Sequence, residues 1–163
     1  MPKIARVVCL ICGRQQLQPL INLSEDGIPH NGVGHNFTYS YDVMTVCENC
    51  GHGQLESYSH DCYVRWDDED QEMYWWYALT PSDVLRLRDV FDSCPDWLNA
   101  ACDCSVHHSL RSSKKRLWGG VLHAVSPRQK ITFTWLYLEM DKNQVILKLD
   151  KEKGIGQAAY RLP

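Results

Sequence analysis

Alternating apolar and polar positions predict strands in the first third of this chain. Residues 17–23 alternate in this way, and residues 37–46 are rich in β-branched and aromatic residues, which also predicts a strand. Pro19 cannot donate a ladder hydrogen bond, so the first segment is expected to be an edge strand. A short strand is also expected at residues 4–8. Residues 24–36 are rich in Gly, Asn, Asp and Pro, which predicts a loop.

The middle of the chain carries the helical pattern. An aromatic strand is predicted at residues 73–79, and Thr80 and Pro81 follow it. Thr80 is suited to capping free amides and Pro81 to the first helical position, so a helix is expected to begin there. Apolar residues at helical spacing continue it to about Ser93. A second helix is predicted at residues 105–118.

The last third again has the pattern of strands. They are predicted at 121–125, 131–140, 145–149 and 158–162, separated by turn residues. Together the elements predict an α+β fold, with an N-terminal β module, central helices and a C-terminal antiparallel β-meander. We expect a module at residues 1–60, with residues 61–163 packed against it or continuous with it.

Two matched cysteine motifs dominate the chemistry of the N-terminal module. Cys9 and Cys12 precede Gly13, and Cys47 and Cys50 precede Gly51, so each motif is C-x-x-C-G. Four thiolates in two pairs are the ligands of a closed tetrahedral metal site, and the glycine lets the backbone turn so that amides point at sulfur.

Residues 5–60 resemble a zinc ribbon through these motifs, and the resemblance implies a structural zinc ion. The 34 residues between Cys12 and Cys47 exceed the usual spacer of about 15–20. Iron is the alternative metal for the same four ligands.

A second group of potential ligands lies within 14 residues of the chain: Cys94, Cys102, Cys104 and His107. This set fits a Cys3His zinc site, and such a site would join the two predicted helices. His108 is an alternative to His107, and Cys62 or His60 is an alternative to Cys94. The other interpretation is that some of these cysteines are small buried core residues.

Charge is unevenly distributed along the 163 residues. Residues 1–80 hold 4 Lys and Arg against 11 Asp and Glu, a net −7, whereas residues 81–163 hold 13 against 9, a net +4. The total of −3 is unfavourable for non-specific nucleic-acid binding, and the acidic half suggests a basic partner.

No apolar run approaches the roughly 18 residues of a membrane span. Because the sequence lacks a signal-peptide pattern, we expect a cytoplasmic protein. The cytoplasm is reducing, so the eight cysteines are expected to bind metal rather than form disulfides.

An acidic and aromatic stretch is the first candidate for a binding surface. Its candidate contact residues are Trp66, Asp67, Asp68, Asp70, Glu72, Trp75 and Trp76. Tryptophans anchor many protein interfaces and carboxylates attract basic partners, so this stretch suggests protein binding. In the alternative interpretation, the aromatic residues belong to the core and the charges to a solvated loop.

A basic cluster in the second predicted helix favours a different function. It consists of Arg111, Lys114, Lys115 and Arg116, which could contact phosphate groups.

Metalloprotease, deaminase and phosphate-loop motifs are absent from the sequence, so we do not expect an enzyme. The leading hypothesis is a zinc-stabilised cytoplasmic protein that binds a basic protein, such as a bacterial inhibitor or immunity protein masking a toxin. A zinc-ribbon nucleic-acid or transcription protein is the second hypothesis, and a metal-dependent hydrolase the third.

Overall fold

The computed structural model describes residues 8–24, 30–31, 37–61, 71–91, 93–94, 96–99, 101–115, 117, 123–124, 130–141 and 144–161. Within them, nine strands form one sheet: β1 (Leu17–Asn22), β2 (His30–Asn31), β3 (Phe37–Cys47), β4 (Gly53–Asp61), β5 (Gln71–Leu79), β6 (His123–Ala124), β7 (Lys130–Asp141), β8 (Gln144–Leu149) and β9 (Ile155–Arg161). The same residues contain two helices, α1 (Pro81–Phe91) and α2 (Ser105–Lys115).

The sheet is mixed and curls into a half-barrel. Its main order is β1-β3-β4-β5-β7-β8, with β2 paired to β3, β6 to β5 and β9 to β7. Only the β5–β7 ladder is parallel among those described. β8 and β9 both run antiparallel to β7 and follow each other along the same edge. Trp135 on β7 lies opposite the turn between β8 and β9 and holds both of its ends. Its amide donates to Gly154 O at 2.9 Å, and its carbonyl accepts from Asp150 N at 2.8 Å.

The predicted α+β class is wrong, because the protein is mostly β and the two helices among the described residues are short. The sequence pattern missed β4, since the buried positions of this strand include the polar residues Gln54, Glu56 and Ser57. The predicted C-terminal meander is also not separate. β7 pairs in parallel with β5, so the last strands extend the sheet that begins with β1.

Several local predictions are confirmed. β1 and β3 lie where strands were predicted, and β1 is an edge strand with an irregular register at Pro19. α1 begins at Pro81, and Thr80 Oγ1 accepts a hydrogen bond from the Asp83 amide at 3.3 Å. The predicted strand at 4–8, apart from residue 8, and most of the 24–36 loop lie outside the described residues. Most of the 121–125 strand does so as well, with β6 as the described part. The division at residue 60 stays a prediction.

Side chains on the two faces of the sheet form two cores, as the two-residue period of strands requires. One face packs under both helices: it includes Met44, Leu55 and Leu79 from strands, Leu87 from α1 and Leu110 from α2. The face opposite is aromatic and contains Tyr41, Tyr58, Tyr74, Trp76 and Phe133. None of the described helices is long and apolar enough to cross a membrane.

A buried carboxylate organises the aromatic face. Glu56 is 2% exposed, and it accepts hydrogen bonds from the Tyr41 hydroxyl at 2.8 Å and the Trp76 indole at 2.9 Å. Tyr41 stacks on Tyr58 with ring centroids 4.7 Å apart, and Tyr74 stacks on Trp76 at 5.3 Å. The polar residue that obscured β4 in the sequence is therefore satisfied within the core.

Candidate metal centres

The first cysteine group, centre 1, lies at one end of the β1-β3-β4 part of the sheet. Cys9 and Cys12 precede β1, whereas Cys47 ends β3 and Cys50 lies in the β3–β4 turn. The four sulfurs lie within 4.8 Å of one another. The Cys9–Cys50 pair is separated by 3.5 Å and the Cys12–Cys47 pair by 3.6 Å. A tetrahedron with metal–sulfur bonds of about 2.3 Å places its sulfurs about 3.8 Å apart, so this group fits a metal ion.

The two C-x-x-C-G turns of centre 1 have the same backbone geometry. Gly13 N donates to Cys9 O at 2.9 Å, and Gly51 N donates to Cys47 O at 2.8 Å. Both glycines have positive φ angles, 74° and 77°, which disfavour any residue with a Cβ. The Ile11 amide approaches Cys9 Sγ at 3.4 Å. Each glycine closes its turn through its positive φ angle, and in the first turn the amide between the two cysteines points at a sulfur.

Burial and hydrogen bonds shift the pKa values of the centre 1 thiols in different directions. Burial raises the pKa of the Cys9 and Cys50 thiols. Burial also acts to raise the pKa of Cys12, but hydrogen bonds from the Arg14 amide, the Asn49 side chain and neighbouring cysteines outweigh it and lower this pKa to about 7. A cation among the sulfurs would favour all four thiolates.

Residues outside the motifs hold the first turn against the sheet. Gln54 Oε1 on β4 accepts a hydrogen bond from the Leu10 amide at 2.9 Å, and the Leu10 carbonyl accepts one from Ala159 N on β9 at 2.9 Å. The Leu10 side chain is fully buried in the aromatic core. Gln54 was not among the residues predicted from the sequence, because a single glutamine in a polar segment gives no pattern.

The second group, centre 2, lies in the connection between α1 and α2 and in the first turn of α2. Cys94 follows α1, Cys102 and Cys104 precede α2, and His107 lies in the first turn of α2. His107 Nδ1 is 3.2 Å from the sulfurs of both Cys94 and Cys104, and Cys94 Sγ is 3.8 Å from Cys102 Sγ. All four ligand atoms lie within 4.8 Å of one another. The structure thus brings together the four residues predicted from the sequence.

Further contacts orient the ligands of centre 2. His107 Nε2 lies 3.2 Å from the carbonyl oxygen of Trp97, and donation to it leaves Nδ1 unprotonated and directed at the sulfurs. The His107 side chain is fully buried. The His107 amide also lies 3.4 Å from Cys104 Sγ, so this sulfur caps the N-terminus of α2. The carbonyl of Trp97 is a positioning contact that the sequence did not reveal.

The thiols of centre 2 also differ in acidity. Burial raises the pKa of Cys94 to about 12, with help from hydrogen bonds to neighbouring cysteines. Burial acts in the same direction on Cys104, but hydrogen bonds from the His107 amide and from neighbouring cysteines outweigh it and lower the pKa of Cys104 to about 6. Cys104 is therefore the most readily ionised of the thiols with a shifted pKa, which suits it to hold a metal ion.

Both groups are closed sets of four protein ligands. The seven cysteines among the described residues are free thiols, so disulfides do not account for them. A tetrahedral ion with four protein ligands has no position for a substrate or a reactive water, and such sites stabilise structure. Each group could hold a metal ion, and both fit zinc without identifying it.

Of the alternative ligands for centre 2, His108 is the one whose side chain lies among the described residues, and it does not belong to the group. His108 is exposed, and its amide donates to the Cys104 carbonyl at 3.0 Å as part of the helix. Cys62 lies outside the described residues, as does the side chain of His60.

Most of the predicted acidic and aromatic surface also lies outside the described residues. Trp66, Asp67, Asp68 and Asp70 fall within residues 62–70, and only the backbone of Glu72 is described. Trp75 is half-buried against the helix-covered core. Trp76 is 2% exposed and bonded to Glu56, so it is a core residue, as the alternative interpretation expected.

The predicted basic cluster is partly engaged within the protein. Lys114 forms an ion pair with Asp42, which is 3% exposed and accepts a hydrogen bond from Ser57 at 2.6 Å. This pair fastens α2 to β3. Arg111 is half-buried, while the side chain of Lys115 and the whole of Arg116 are outside the described residues.

No family model, curated protein or solved structure matches this chain. The likeness to zinc-binding modules therefore rests on the two cysteine groups.

Proposed function

We propose that this chain is a zinc protein in which two structural ions hold a β-sheet scaffold for binding another protein. The observation that carries the zinc assignment is the presence of two closed groups of four ligand atoms, each within 4.8 Å. A Cys3His set favours zinc over iron, because imidazole with thiolate is a common zinc combination. Iron in centre 1 remains the alternative.

Binding is the activity that best suits closed metal centres. They supply rigidity rather than an open coordination position, and a rigid scaffold lowers the entropy cost of association. The net −7 charge of residues 1–80 supports a basic partner. An inhibitor that masks a basic protein such as a toxin would act in this way.

Metal analysis of single-ligand variants tests the zinc assignment. Purified protein should contain about two zinc ions per chain by inductively coupled plasma mass spectrometry. Cys12→Ser and Cys104→Ser should each reduce the content to about one. The matched control is His108→Ala, because His108 is exposed beside centre 2, and this variant should leave the metal content unchanged. A reduced protein without bound metal would refute the proposal, and iron in the Cys104→Ser variant would reassign centre 1.

Affinity capture with and without nuclease tests the binding role. The zinc-loaded chain should retain a basic protein after nuclease treatment. Recovery of RNA or DNA alone, with affinity that falls steeply as salt rises, would instead favour the nucleic-acid hypothesis.

A further inference from the structure

The segment that connects α1 to α2 through centre 2, described at residues 93–94, 96–99 and 101–104, is held by contacts inside the protein. The Trp97 carbonyl accepts hydrogen bonds from the Asn22 amide on β1 at 3.0 Å and from the His107 ring at 3.2 Å. The Trp97 indole lies parallel to the Phe91 ring, with centroids 6.2 Å apart and an interplanar angle of 6°. Contacts to a strand, a metal-ligand residue and a helix thus define the position of this tryptophan.

The same segment exposes large apolar side chains. Trp97 is 37% exposed and Leu98 is 49% exposed, although the backbone carbonyl of Trp97 contacts the buried His107 ring. A side chain already held in one conformation loses little entropy when a partner covers it. Tryptophan is also the residue most enriched among interface anchors. The arrangement therefore has the properties of a preorganised binding point.

The charged side chains along this segment are acidic, although the exposed Arg88 in the last turn of α1 lies just before it. Residues 89–110 contain four Asp residues and no Lys or Arg. Asp89, Asp96 and Asp103 are exposed. Such a rim attracts a positively charged partner and repels an acidic one. It extends the acidic character of the first half of the chain into a described surface.

We propose that Trp97 and Leu98 are the anchors of a docking surface for a basic protein segment that carries an apolar side chain. This inference rests on the proposed binding function and names its surface. Centre 2 keeps the segment in shape by holding the backbone on both sides of Trp97, and the aspartates supply the attraction to the basic partner.

Peptide selection tests the surface even while the natural partner is unidentified. The probe is a random peptide library displayed on phage, selected against the immobilised zinc-loaded chain. Enriched peptides should combine Lys or Arg with an apolar residue. Their affinity, measured by fluorescence anisotropy, should fall at least about tenfold in a Trp97→Ser, Leu98→Ser double variant. Leu85→Ser is the matched control, because Leu85 is 64% exposed on α1 outside the segment, and it should bind like the wild type.

The outcomes distinguish failure of the surface from failure of the binding function. The double variant must first show the zinc content and thermal midpoint of the control, so that a loss of affinity reports lost contacts. Peptides that bind the double variant as tightly as the wild type would overturn this surface and leave the binding function standing. Enrichment of acidic or uncharged peptides would overturn the basic partner. A library that enriches no peptide on the wild type would overturn both the surface and the binding function.

Discussion

Glycine replacement in the metal-binding turns separates the stability of the fold from the affinity for metal. Gly51 has a φ angle of 77° within centre 1, and Gly154 has a φ angle of 63° between β8 and β9. Both are therefore in the left-handed region, where a residue with a Cβ costs about 1–2 kcal/mol. Only Gly51 belongs to a turn whose cysteines are potential metal ligands, so Gly154 is a matched control.

The surroundings of the two glycines leave the backbone cost as the main effect. A Cβ at Gly51 would lie 3.4 Å from Pro81 Cβ, close to ordinary contact, and a Cβ at Gly154 would meet no atom within 4 Å. Gly51→Ala should strain the turn that the metal organises, and thus lower zinc affinity by about 5–30-fold. Gly154→Ala should instead destabilise the fold by a similar free energy and leave the affinity unchanged.

Competition with a chromophoric chelator gives the zinc affinity, and urea unfolding of the zinc-loaded protein gives the stability. Gly13→Ala provides a repeat within the other turn, since Gly13 has a φ angle of 74° and its nearest neighbour would be Ala159 Cβ at 3.6 Å. Equal zinc affinities for Gly51→Ala and Gly154→Ala would refute the assignment of these turns as metal-binding.

Two substitutions test buried charged groups, and a labelling experiment tests the thiols of centre 2. Lys114→Met leaves the Asp42 carboxylate buried without its ion pair and should cost about 3 kcal/mol in urea unfolding, most of which a second change, Asp42→Asn, restores. Glu56→Leu removes the acceptor of two buried donors and should cost about 2 kcal/mol, whereas Glu56→Gln, which keeps an acceptor, should cost less. After removal of metal with a chelator at pH 7, maleimide should label Cys104, with a pKa of about 6, before Cys94, with a pKa of about 12. Mass spectrometry measures the rate of labelling at each cysteine. Equal rates would contradict the different environments of the two thiols.

The sequence predicted both cysteine groups because the signal for each is local and chemical. Cys9 and Cys12 belong to the same turn, and Cys104 and His107 lie one helical turn apart, so short spacing brings each pair into reach whatever the fold. The contacts that position these ligands are not local. The carbonyl of Trp97 lies ten residues from His107, and a backbone carbonyl has no sequence signature.

The sheet was harder to predict than its strands. Residues 74–77 are all aromatic, and a strand buried on both faces gives such a continuous run instead of an alternation. Trp75 therefore faces one core and Trp76 the other, and the run cannot show which ring is accessible. The parallel pairing of β5 with β7 joins Tyr77 to Thr134. Long-range pairing of this kind depends on tertiary packing, and it decides the fold class.

The two centres connect different parts of the fold, so loss of a metal ion from each is expected to affect different residues. Centre 1 joins residues up to 41 positions apart and holds Leu10 in the aromatic core, so loss of its metal would expose core surface. Centre 2 closes a segment of 14 residues between helices that remain attached to the sheet through Leu87 and Leu110. Loss of its metal would release mainly the segment that displays Trp97. A metal ion in centre 2 could therefore support the proposed binding surface without holding the sheet together, because local opening of this kind costs less free energy than global unfolding.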